Sequence, residues 1–120
     1  MEYFKKLFGN AEKVNEILFE EVIKLANKEW IEDEGKHLFG VQITPTQVVY
    51  VTTIEAGSGY TLHVHPDNTE MLICYEGEVV VNKNRTMRVG SVEHFASSYA
   101  HSVKNTSNKD AKFIVIITKK

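Results

Sequence analysis

The sequence predicts an all-β domain, a barrel or sandwich of about eight short strands, carrying an α-helical extension at its N-terminus. Two observations lead there. From Lys36 onward, short runs rich in β-branched and aromatic residues alternate with turn signals at near-regular spacing. Before Lys36 the texture is helical instead. Val14, Ile17, Leu18, Val22, Leu25 and Ala26 recur at helical spacing, with Glu12, Glu16, Glu20 and Lys24 on the opposite side. Asn10 is the expected N-cap of a helix over residues 11–29, and Phe19 and Ile23 widen its apolar stripe. Tyr3, Phe4, Leu7 and Phe8 suggest a short helix of the same kind before it.

The strands follow in order. His37–Thr44 and Gln47–Glu55 are separated by Thr44-Pro45-Thr46. Tyr60–His65, Glu70–Tyr75 and Glu78–Val81 come next, with Glu76-Gly77 as a tight corner. Asn82-Lys83-Asn84 reads as a hairpin turn into Thr86–Val89, and Gly90-Ser91 leads to Val92–Phe95. Ala100–Lys104 and Lys112–Thr118 close the chain around the polar loop Asn105–Asp110. No repeat or linker divides the sequence, so residues 1–35 are expected to form a helical extension packed on a barrel of residues 36–120, on a dimer partner, or on both, within a single domain.

At 120 residues, 42% of them apolar and 25% charged, the chain has the composition of an ordinary globular domain with a core of its own. A net charge of −2 with scattered Lys and Arg gives no reason to expect nucleic acid or an anionic membrane as partner. The N-terminus lacks the apolar core of a signal peptide, and no run approaches membrane-spanning length. The lone cysteine, Cys74, cannot form an internal disulfide. A cytoplasmic location is therefore expected.

Chemistry concentrates in His63-Val-His65-Pro-Asp-Asn-Thr-Glu70. In an extended strand, side chains alternate faces with a period of two, so His63 and His65 point the same way. Pro66 ends that strand, Asp67-Asn68-Thr69 turns the chain, and Glu70 opens the next run. If the two strands pair, Glu70 returns to the face that holds both imidazoles. Two imidazoles and a carboxylate make a partial coordination sphere for a first-row transition metal. His101 stands further along as a fourth candidate.

These residues resemble the cupin superfamily. Its first motif, in one form, reads G-x5-H-x-H-x4-E-x6-G, and Gly57, His63, His65, Glu70 and Gly77 fill every defined position. Its second reads G-x5-P-x-G-x2-H-x3-N, and Gly90, His101 and Asn105 match it, with Ala96 for the proline and Ser98 for the glycine. The resemblance covers about residues 36 to 118. It implies a jelly-roll barrel holding one divalent transition metal, iron, manganese, nickel or zinc, through His63, His65, Glu70 and His101. Four protein ligands would leave one or two coordination positions for water, substrate or dioxygen. The missing proline and glycine lie in the turn before His101, where Ser98 enters glycine-like backbone angles less easily.

Further candidates are weaker. His94, Tyr99 and Tyr60 are the nearby groups that could act as general acid or base, though each also suits a surface or packing role. By period two Cys74 shares the interior face with Glu70 and Leu72, as a small buried hydrophobe or as a thiol lining the pocket. His37 opens a strand and carries no expected chemistry, and Trp30 anchors the helical segment. Three classes of function fit: dioxygenase-type metal chemistry on a small organic substrate, which is favoured; a metal-dependent isomerase, lyase or decarboxylase; and a non-catalytic small-ligand-binding module. A small barrel with an apolar helix also suggests a homodimer.

Overall fold

The structure is a computed structural model that describes residues 11–26, 31–33 and 35–120. The expectations for Tyr3–Phe8, Asn10 and Trp30 lie outside the described residues. The helix α1 spans Ala11–Leu25, shorter than the 11–29 expected, and the Ala26 amide still donates to the Val22 carbonyl at 2.9 Å.

Ten strands follow among the described residues: β1 Ile31–Asp33, β2 Lys36–Thr44, β3 Gln47–Ile54, β4 Gly59–His63, β5 Asn68–Glu76, β6 Glu78–Val81, β7 Arg85–Arg88, β8 Val92–Phe95, β9 His101–Lys104 and β10 Ala111–Lys119. They form two antiparallel sheets, one in the order β1-β2-β3-β10-β5-β8 and the other β4-β9-β6-β7. This is the all-β jelly-roll arrangement expected. The strand not foreseen is β1, a short edge that pairs with β2 through Ile31↔Leu38 and Asp33↔Lys36.

One expectation is corrected. Strands β4 and β5 do not pair: β4 bonds to β9, and β5 lies between β10 and β8 in the other sheet. The connection through Pro66 crosses from one sheet to the other instead of folding back as a hairpin. Glu70 therefore meets the histidines across the space between the sheets.

Two apolar clusters result. Inside the barrel, Ile54, Leu72, Cys74, Val79, Val81, Met87, Phe95, Val103, Phe113 and Val115 are buried together. On the outer face of the six-stranded sheet, Phe19 and Val22 of α1 pack on Val49, Val51 and Ile114. The Phe19 ring stacks on Tyr75 with centroids 5.1 Å apart. The helix thus folds back on its own barrel and buries one face, leaving Ile17, Ile23 and Leu25 exposed. No helix among the described residues is long and apolar enough to cross a membrane.

Two turns decide local geometry. Asn82 and Lys83, with φ of 51° and 66°, form the tight link between β6 and β7 that the sequence suggested. Gly77 has φ of +77°, and a Cβ there would stand 2.6 Å from the Asp110 carbonyl oxygen, so only glycine fits the corner between β5 and β6.

Candidate metal centre

The four expected ligands converge. One donor atom from each of His63, His65, Glu70 and His101 lies within 4.8 Å of the others, and this is the one such cluster among the described residues. His63 closes β4, His65 stands two residues past it, Glu70 is on the inner face of β5, and His101 opens β9. The register pairs His63 directly with His101, and their rings are 4.3 Å apart between centroids. A β-bulge on β4 makes this possible. Tyr60 faces Val103 and His63 faces His101, so three steps along β4 match two along β9. The extra residue puts both Tyr60 and His63 inside, although an odd spacing would place them on opposite faces of a regular strand.

The tautomers follow from the backbone. Nδ1 of His63 lies 2.6 Å from the Thr61 carbonyl oxygen and Nδ1 of His101 lies 3.1 Å from that of Tyr99. A carbonyl oxygen only accepts, so each Nδ1 donates a proton. In a neutral ring, Nε2 then carries a lone pair aimed into the site, the arrangement that suits a metal-ligating histidine. Burial lowers the pKa of His101, as do His63 and His65 beside it, against the opposing pull of the Tyr99 carbonyl and Glu70. His101 is therefore held neutral at pH 7. Phe95, which pairs with Glu70 across β5 and β8, covers the His101 ring in a parallel stack at 4.0 Å.

What is left over points to a cation. Nε2 of His101 and Oε2 of Glu70 face each other at 3.3 Å, both buried and neither with a hydrogen-bond partner. With the imidazole proton on Nδ1, two lone pairs oppose one another with no proton between them. Buried polar atoms are rarely left in this state. Nε2 of His65 approaches the same oxygen at 3.1 Å. Three imidazole nitrogens and one carboxylate oxygen around a common point fit a divalent transition metal well.

Three residues beyond the motifs complete the site. The Tyr50 hydroxyl donates to Oε1 of Glu70 at 3.4 Å, fixing the carboxylate so that Oε2 faces the imidazoles. Burial chiefly, and the Glu70 charge next, raise the Tyr50 pKa well above its ordinary value, so it stays a phenol. The others are Phe95 and Thr52, whose hydroxyl lies 3.1 Å from that of Tyr60. Of the weak catalytic candidates, Tyr60 lines the cavity above the cluster. His94 is exposed, on the opposite face of β8 from buried Phe95, and does not join it. Tyr99 is 46% exposed, with its ring 6.1 Å from that of Phe95, and what reaches His101 is its main-chain carbonyl. Cys74 is buried in the barrel core, its thiol pushed up to about 11 mainly by burial. His37 pairs with Glu55 at 3.0 Å, away from the cluster.

The second motif holds its shape despite its departures. Ser98 adopts φ of 66°, the left-handed conformation of the glycine it replaces, and its amide donates to the His65 carbonyl at 3.0 Å. The turn before His101 thus follows the glycine path and ties directly to the His65 loop.

A two-sheet antiparallel barrel with a three-histidine, one-glutamate cluster inside defines a class of small β-barrels whose inner side chains could hold a metal ion. The chain belongs to the cupins: a model of the cupin domain matches residues 50–117, more than half of its length. A search of curated proteins finds no match. Among solved structures, the chain is similar to a predicted oxalate decarboxylase from Thermotoga maritima, at 22% identity and TM-score 0.63, covering 71% of this chain and 81% of that one. It is similar also to KdgF from Halomonas sp., at 15% identity and TM-score 0.68, over 78% and 89% of the two chains. A sugar phosphate isomerase of the cupin superfamily from Silicibacter pomeroyi matches at 18% identity and TM-score 0.64, over 72% and 61%.

Proposed function

We propose that this cupin is a metal-dependent enzyme acting on a small organic substrate, with oxidative, dioxygenase-type chemistry preferred. The observation that carries the metal is the pair of buried atoms without a hydrogen bond, Nε2 of His101 and Oε2 of Glu70, 3.3 Å apart beside a cavity of about 510 Å³. A cavity of that size takes a small molecule. When bound, a redox-active metal such as iron or manganese would supply electron transfer and Lewis-acid polarisation of an oxygen donor.

The preference for oxidative chemistry rests on what else lines the cavity. Among the described residues, every histidine and carboxylate in its wall belongs to the four-residue cluster. Phenols and the Lys36 ammonium are what remain to move a proton, and the Tyr50 hydroxyl is engaged with Glu70. Chemistry that depends on a strong general base is poorly provided for. The protein's own part is to hold Glu70 in place through Tyr50, to hold the imidazoles through main-chain carbonyls, and to exclude water with the barrel wall. The Tyr60–Thr52 hydroxyl pair favours a second reading, a metal-dependent lyase or isomerase with Tyr60 as proton donor. The activities named for two of the neighbours are of those kinds.

Elemental analysis of protein purified without an affinity metal column, beside His101→Ala, tests the metal. Near-stoichiometric iron, manganese or nickel that is lost in the variant supports the reading, and protein that neither carries nor takes up any metal overturns it. Oxygen consumption with candidate substrates then separates the two chemistries. Homodimerisation through the exposed side of α1, where Ile17 and Leu25 are 50% and 65% exposed, is part of the same proposal.

A further inference from the structure

The cavity has a composition that restricts what can occupy it. Its wall is built from Leu38, Ile54, Leu72, Val103, Phe113 and Val115. Outside the imidazoles, much of its polar surface is engaged internally: Tyr50 with Glu70, and Tyr60 with Thr52. Among the described residues, Lys36 is the one Lys or Arg in the lining, with its ammonium 5.0 Å from the centre of the Tyr60 ring. Among the described residues of the lining, no guanidinium is present to grip a carboxylate in two places, and no group of cations forms a phosphate cradle.

The register shows how closely the apolar wall follows the metal ligands. Ile117 pairs with Glu70 on one side and Val48 on the other, so both aliphatic residues share the row of the carboxylate. In the next row Val115 links Leu72 and Tyr50, and in the one after it Phe113 links Cys74 and Thr52. A molecule held at the cluster places its remainder on these side chains. A polyol there would lose hydration with few partners in return, whereas methylenes or an aromatic ring gain by leaving water.

We propose that the substrate is a small organic acid or ketone, with an oxygen-donor head at His63, His65, Glu70 and His101 and an apolar body lying along the barrel wall. Its class is thus distinct from the oxalate and sugar phosphates for which two structural neighbours are named. The placement of the head rests on the metal-centre reading above, whereas the apolar body rests on the cavity wall alone.

Calorimetric titration of the metal-loaded protein under nitrogen tests this, with 2-oxobutanoate, 2-oxohexanoate, 2-oxooctanoate, oxalate and glucose 6-phosphate as probes. Affinity should rise roughly fourfold for each added methylene until the cavity is filled. The double variant Val48→Thr/Ile117→Thr, altered at half-buried positions, should weaken 2-oxooctanoate by about tenfold while metal content stays unchanged. Equal affinity along the series, or tighter binding of oxalate or glucose 6-phosphate than of 2-oxooctanoate, overturns the inference and leaves the metal centre standing. Protein that takes up no metal overturns the placement of the head. A chain-length dependence among butanoate, hexanoate and octanoate in that protein would still support the apolar body, and its absence would overturn that too.

Discussion

Single residues in this barrel separate into those that serve the site and those that hold the loops around it. Asn105, the last residue of the second motif, belongs to the second group. Its side chain is buried and all its hydrogen-bonding capacity is used: Nδ2 donates to the carbonyls of Ile54 at 2.9 Å and Lys109 at 2.7 Å, and Oδ1 accepts from the Ser107 amide and hydroxyl. Asn105→Ala should cost about 3 kcal/mol in urea unfolding, since several buried groups lose their partner at once. Metal content in the folded fraction should stay unchanged, because Asn105 touches no ligand. Cys74 gives a residue-scale prediction of a different kind. Its thiol, raised to about 11, points toward the Gly77 carbonyl at 3.4 Å inside the core. A folded-state pKa above the unfolded value means a contribution that is complete below the unfolded pKa and lost as pH rises through the folded one. Stability should therefore decline between roughly pH 9 and 11, by about 1.4 kcal/mol for each pH unit, and Cys74→Ala should flatten that slope. A disulfide reagent at pH 8 should label Cys74 in denatured protein and leave the native protein unlabelled.

At the scale of elements, the helix and the His/Glu cluster occupy opposite faces of one sheet and should be separable. Phe19 is 6% exposed and packs on the outer face, stacked on Tyr75. Phe19→Ala should cost roughly 3 kcal/mol by urea unfolding yet leave metal stoichiometry intact, since β3 and β10 keep their inner faces. The same geometry explains how far the sequence could be read. The alternation that puts Glu70, Leu72 and Cys74 inside β5 was legible, and so were the turns at Gly77 and Asn82, because each depends on a few neighbouring residues. Strand β3 was not. With the barrel on one face and α1 on the other, Val48-Val49-Tyr50-Val51 has no polar face, so nothing local tells that Tyr50 looks toward Glu70. The β4 bulge was also hidden, since it exists only as a mismatch between Tyr60↔Val103 and His63↔His101 on a strand far along the chain. For the same reason the crossing of Pro66 between sheets was read as a possible hairpin. Pairing partners are a long-range property, and a turn of suitable composition serves either path. Ser98 shows the converse. A serine weakens the glycine signal in the sequence, yet the hydrogen bond to His65 and the surrounding turn hold it at φ 66°.

At the scale of the whole molecule, the four-residue cluster joins parts that are otherwise far apart in sequence. His63 and His101 come from the four-stranded sheet and Glu70 from the six-stranded one, so a cation between them would tie the two sheets together at one end of the barrel. That link is absent in the unfolded chain, where no preformed site exists, so bound metal should appear as folding stability. At a free metal concentration near a thousand times Kd the gain is about 4 kcal/mol. For a domain of 120 residues this corresponds to a shift in Tm of roughly 10 °C or more. A chelator should therefore lower the Tm of the native protein by that order in differential scanning calorimetry. His63→Ala should remove most of the metal and the chelator effect together while remaining folded, because the apolar residues of the barrel and of the helix interface do not depend on it. The effect should also fade as pH falls through the histidine range, where protons compete with metal for Nε2. A native Tm that ignores the chelator, in protein shown to contain metal, would mean that the ion does not bridge the sheets. Equal chelator shifts in the native protein and in His63→Ala would place the binding elsewhere on the chain.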